Sequence, residues 1–152
     1  MQTIYLDHIS GTPLHPQVKE VMTRYIQENF GNPISQHKIG DAAMEALETA
    51  REKVASLINA KASEVVFTSG GSESINHAIK GIALAAGEKK RHIITSNIEH
   101  QSVQRSLRML MKLGFRITSL PVDHYGLIDP KEVEKAISDD TILVTIMHAN
   151  NE

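Results

Sequence analysis

Four short β-forming runs constrain the fold: EVVFTS at 64–69, HIITS at 92–96, FRITSLPV at 115–122 and TILVTIM at 141–147. Between the first two, Ile75, Ala78, Ile79 and Ile82 recur at helical spacing, and between the next two Val103, Leu107, Leu110 and Met111 do the same. The third connection carries a helix-start signal, with Asp129 as N-cap, Pro130 at the first helical position and Glu132 three residues after the cap. Strands joined by helices of this length make right-handed crossovers in a parallel sheet. The second half of the chain is therefore predicted to be α/β.

Two further helices precede this alternation. Val18, Val21, Met22, Tyr25 and Ile26 form one apolar stripe, and Ile39, Ala43, Ala46, Leu47, Ala50, Val54, Leu57 and Ile58 form a longer one. The linker between them, NFGNPISQH at 29–37, is rich in turn formers. The expected organisation is an N-terminal segment with two helices over 1–60, followed by the α/β part over 61–152. Hydrophobic residues make up 41% of the 152 and charged residues 22%, the balance of a globular chain. A formal net charge of -2 removes the electrostatic case for wrapping nucleic acid. No apolar run reaches the roughly 18 residues of a membrane span, and MQTIYLDHIS does not read as a signal peptide. The chain has no cysteine, which fits a reducing compartment and excludes a cysteine nucleophile within it. A cytoplasmic protein without nucleic-acid or membrane partners is the expectation, and no metal site is expected.

The stretch FTSGGSES at 67–74 places two glycines and two hydroxyls where a β run gives way to a helix. Helix N-termini leave N–H groups without partners, and the dipole there favours an anion. Gly70 and Gly71 let a ligand approach the backbone, while Ser69 and Ser72 add hydroxyl donors. The alternative is a plain glycine turn with Ser72 as N-cap. The spacing matches neither a P-loop nor the dinucleotide fingerprint. Two other runs also end in polar clusters, SNIEH with His100 and HANNE with Asn150 and Asn151. A single histidine is more often a helix-start or surface residue, and an Asn-Asn pair is more often a turn. Open parallel sheets bind ligands outside the carboxyl ends of their strands, so three such clusters are expected to converge on one cleft.

Taken in order, YLD at 5–7, TPLHP at 12–16, FGNP at 30–33, FTSGGSES, HIITSNIEH at 92–100, LPVD at 120–123 and DTILVTIMHANNE at 140–152 resemble the N-terminal part of class V aminotransferase-like enzymes, most closely the cysteine desulfurases. The resemblance spans essentially the whole chain. It implies the N-terminal part of the large domain of a pyridoxal-phosphate-dependent transferase fold, mainly a parallel sheet flanked by helices and incomplete without a downstream half. It implies pyridoxal 5'-phosphate as cofactor, with its phosphate held at Gly71 and Ser72. His100 would stack on the pyridine ring and help move protons as the catalytic residue, and Asn151 would bond the cofactor's phenolic oxygen. Asn32 and His37, in FGNPISQH, would belong to a substrate-pocket loop.

The implied reaction converts L-cysteine, or a related amino acid, to L-alanine and leaves the sulfur on an enzyme thiol as a persulfide. Such a chain would serve sulfur transfer and iron–sulfur cluster biogenesis, as a homodimer that delivers to a sulfur-acceptor protein. Where the family usually has an Asn-Ala-Ala-Thr-like run after YLD, this chain has His8-Ile9-Ser10-Gly11, which leaves room for another lyase or transaminase of the family. The cofactor-binding lysine and the sulfur-accepting cysteine of the family lie beyond the matching part. The 152 residues alone are thus expected to be inactive, or to act by association as a noncatalytic half. Their sheet is also expected to be incomplete, with 64–69 out of hydrogen-bond contact with the other three strands.

Overall fold

The computed structural model describes residues 4–87 and 90–152, and the chain divides into two units at Phe67/Thr68. The first unit contains helices α1 (Pro16–Glu28) and α2 (Lys38–Leu57) and a short 3-10 turn, Ala62–Glu64. Helix α1 starts with Pro16 at its first position, where a missing N–H costs nothing. Helix α2 is capped by His37, whose Nδ1 accepts from the Gly40 N–H at 3.2 Å. The loop between them is held so closely that two glycines are obligatory. A β-carbon on Gly31 would collide with the Ile39 carbonyl oxygen, and one on Gly40 with that of Ser35.

The second unit is the α/β part. Helix α3 (Gly71–Ala85), strand β1 (His92–Ser96), helix α4 (Gln101–Lys112), strand β2 (Arg116–Leu120), helix α5 (Pro130–Ala136) and strand β3 (Thr141–Thr145) follow one another. The sheet has the order β2-β1-β3, and both pairings are parallel. The chain steps outward from β1 to β2, then returns across β1 to β3. Right-handed crossovers in opposite directions place α4 and α5 on opposite faces of the sheet. On the first face, Ile93 packs with Ile79 and Ala83 of α3 and with Val103, Leu107 and Leu110 of α4. All five residues of β1 are buried, as expected for a central strand.

The expected run over 64–69 is not a strand. Glu64 closes the 3-10 turn, Val65 after it is extended, and residues 65–68 enter no ladder among the described residues. An extended segment needs a neighbour to pair its backbone; here the Val65 carbonyl accepts instead from Arg51 Nη1 at 2.6 Å. The Arg51 guanidinium also lies 5.0 Å from the centre of the Phe67 ring. The predicted run at 115–122 shortens to Arg116–Leu120, and that at 141–147 to Thr141–Thr145. Among the described residues, no helix is long and apolar enough to cross a membrane.

One hydroxyl in the core of the second unit lacks a partner. Thr95 Oγ1, on the same face of β1 as Ile93, is buried and makes no hydrogen bond among the described residues. A buried polar atom without a partner costs about 1–3 kcal/mol. Thr95→Val retains the shape and removes the hydroxyl, so it is expected to raise stability by about 1 kcal/mol. A urea titration checks this through the midpoint, which should rise at unchanged slope.

Candidate active site at the carboxyl edge of the sheet

Strand order reverses at β1, so the crevice outside the carboxyl ends of β1 and β3 is where an open α/β sheet takes its ligands. Residues 98–101 and 150–152, together with Gln104, enclose a cavity of about 340 Å³ there. His100 and Asn151 both line it. His100 is the N-cap of α4, the helix-start position, and it also lines this cavity. Its Nδ1 accepts from the Ser102 N–H at 3.2 Å and lies 2.7 Å from Ser102 Oγ. An acceptor at Nδ1 puts the proton of the neutral ring on Nε2 and fixes the ring's orientation. The opposite wall is tied in by Asn150, whose Nδ2 donates to the Ile98 carbonyl at 3.0 Å.

Gly71 and Ser72 form the first turn of α3, with Gly70 as the N-cap; Ser72 is not the cap. They do not line the His100 cavity, but hydrogen bonds join the two helix starts. Asn76 Nδ2 donates to the Ser72 carbonyl at 2.7 Å. The Ser106 hydroxyl lies 3.0 Å from Asn76 Oδ1 and 2.8 Å from the Ser102 carbonyl oxygen. Asn76 and Ser106 are each the sixth residue of their helix, so α3 and α4 present their N-termini at the same edge. Nothing lies within 4 Å of a β-carbon built on Gly70 or Gly71, so this turn faces open space.

The donor set suits a phosphate in part. Ser69 is already committed, since its N–H and hydroxyl both donate to Glu73 Oε2, at 2.8 and 2.6 Å. Those bonds, the hydroxyl's first, hold the Glu73 carboxyl below the usual carboxylate range. Thr68 and Ser74 pair with each other at 2.7 Å. The N–H groups of the first turn and the Ser72 hydroxyl remain, and the Ser72 hydroxyl has no partner among the described residues. That set, at the positive end of a 15-residue helix, matches a phosphate dianion.

Asn32 and His37 lie in the first unit, and both are occupied locally. Asn32 Oδ1 accepts from the Ile34 N–H at 3.1 Å, and His37 caps α2. Both side chains are exposed. Sequence reasoning missed Glu99, the one buried carboxylate beside this cavity among the described residues. Its signal was present in SNIE, where Ser96 and Glu99 have capping-box spacing.

The aminotransferase class-V family profile matches residues 4–152, and the chain belongs to that family. More particularly, it is 52% identical over 149 residues to the cysteine desulfurase IscS of Dictyoglomus turgidum, covering 98% of this chain and 38% of that protein. It is 49% identical over 151 residues to the cysteine desulfurase IscS of Methanosarcina thermophila, covering 99% of this chain and 37% of the relative. Among solved structures, a NifS-like protein superposes with a TM-score of 0.94 at 40% identity, over 99% of this chain and 42% of that one. SspA in complex with cysteine superposes with a TM-score of 0.91 at 43% identity, over 99% and 43%. The chain thus corresponds to the N-terminal part of these proteins and spans about two-fifths of their length, a partial α/β domain.

Proposed function

We propose that this chain supplies the N-terminal part of the active site of a pyridoxal-phosphate-dependent cysteine desulfurase. The observation that carries the reading is the single cavity shared by His100 and Asn151 at the β1/β3 switch point. The overall reaction breaks the C–S bond of L-cysteine, forms an S–S bond to a protein thiol and leaves a proton on carbon, giving alanine and a persulfide. The thiol must come from elsewhere, because this chain has no cysteine. When bound, the cofactor supplies an electron-withdrawing ring that accepts electron density from the substrate's bonds.

The chain's own residues bind and orient. Gly71 N–H and the Ser72 N–H and hydroxyl take the phosphate, with the α3 dipole behind them. His100 offers a flat imidazole face to an aromatic ring and holds a proton at Nε2. The Asn151 amide would donate to the cofactor's phenolic oxygen from the other wall. The family resemblance and the cysteine desulfurase relatives support the choice of L-cysteine over other amino acids. The family resemblance implies a homodimer, and the cysteine-free sequence fits a protein working in the cytoplasm.

Titrating the chain with pyridoxal phosphate is expected to shift the cofactor's absorbance band saturably, and Ser72→Ala is expected to weaken that uptake about tenfold, the value of one charge-assisted hydrogen bond. Combining the chain with the complementary C-terminal part should restore alanine formation from L-cysteine. An unchanged spectrum in the wild-type chain, together with no alanine in the combined preparation, would overturn the reading.

A further inference from the structure

We infer that Glu99 is a positioning residue of this site, holding the Asn151 wall against the His100 wall; the inference rests on the proposed function and deepens it. Glu99 is 5% exposed. Its Oε1 accepts from Ser96 Oγ at 2.6 Å and from the Met147 N–H at 2.8 Å. Its carbonyl accepts from Gln104 Nε2 at 2.8 Å, which ties it to the first turn of α4.

The placement of these bonds gives them their role. The ladder between β1 and β3 ends at Thr95↔Thr145, so among the described residues no backbone pairing holds the two strands together beyond it. The two segments that leave the ladder are the ones that carry His100 and Asn151. One carboxyl oxygen bridges them there, gripping the last residue of β1 and a backbone N–H two residues past β3. Asn150 adds a second link further along, to the Ile98 carbonyl. None of the hydrogen bonds made by Glu99 reaches β2, α3 or α5, so its influence falls on the cavity walls and not on the sheet as a whole.

Isotope-labelled wild type, Glu99→Ala, Glu99→Gln and Glu99→Asp would be compared by NMR and by pyridoxal phosphate titration. In Glu99→Ala, the resonances of 146–151 and the Asn151 side-chain amide should move, and exchange of the Met147 amide should quicken about tenfold or more, while β2 and α3 stay in place. Glu99→Gln retains an oxygen acceptor at the same reach and should restore the wild-type pattern. Glu99→Asp retains the carboxyl but withdraws it by one methylene. It should behave like Glu99→Ala, and it supplies the readout if the alanine variant fails to fold. Cofactor affinity should fall about tenfold in Glu99→Ala and stay within about threefold in Glu99→Gln. Unmoved 146–151 resonances beside intact cofactor uptake would overturn the role of Glu99 alone, as would a glutamine variant no better than alanine. Resonances that move while the wild-type chain takes up no cofactor and its combination with the C-terminal part forms no alanine would overturn the proposed function and leave the clasp standing.

Discussion

Replacing His92 with alanine is expected to destabilise the α/β unit by about 3–5 kcal/mol, because it opens a cavity and strands hydroxyls on both neighbouring strands. The His92 side chain is fully buried at the start of the central strand. Its Nε2 lies 2.8 Å from Thr118 Oγ1 on β2, and its Nδ1 lies 2.7 Å from Thr141 Oγ1 on β3. Thr141 Oγ1 already accepts from the Ser138 N–H, so its own proton is free to go to Nδ1. With Thr141 donating, the neutral ring accepts from β3 at Nδ1 and donates to β2 from Nε2, and it joins three strands through one side chain.

Burial pushes the His92 pKa down, the Arg116 guanidinium pushes it further the same way, and Asp140 opposes both. The fold thus favours the neutral imidazole. Its contribution is fully present above the unfolded-state pKa of about 6.5 and is lost as pH falls below that toward the lower folded value. Thermal melts between about pH 8 and pH 5 should show stability falling on acidification by up to about 1.4 kcal/mol per pH unit from this group. In His92→Gln that component should vanish. An equally steep acid loss in the glutamine variant would place the pH dependence elsewhere.

Gly40→Ala is the second substitution expected to act strongly, this time in the first unit, at about 3 kcal/mol or more. Gly40 is buried in the first turn of α2, and an added β-carbon would strike the Ser35 carbonyl oxygen while lying 3.0 Å from that of Asn32. Both atoms are backbone, so neither can rotate away. Moving the helix start would also break the bond from the Gly40 N–H to His37 Nδ1. His37→Ala separates the two effects, since it removes the cap alone and should cost about 1 kcal/mol. Circular dichroism followed through a urea titration reads both variants. A Gly40→Ala loss no larger than that of His37→Ala would show that the loop shifts aside.

The features legible from the sequence are those that depend on neighbours along the chain. The helical spacing of Ile75, Ile79, Val103, Leu107 and Leu110 named the face that packs on Ile93, since a helix brings residues three and four apart onto one side. Asp129, with Pro130 after it, marked the start of α5, because a cap bonds within its own first turn. The polar ends of β1 and β3 pointed to the edge where the cavity lies. Tertiary structure decided what depends on partners far away in the chain. EVVFTS has the composition of a strand but no ladder, because composition favours an extended backbone and cannot supply the neighbour it must pair with. His92 reads as a polar residue opening an apolar run, and only the register against Arg116 and Thr141 puts its two nitrogens between two threonines. Glu99 reads as one more acid near a helix start. Its grip on Met147 crosses 48 residues of sequence, and that distance closes only when β3 docks beside β1.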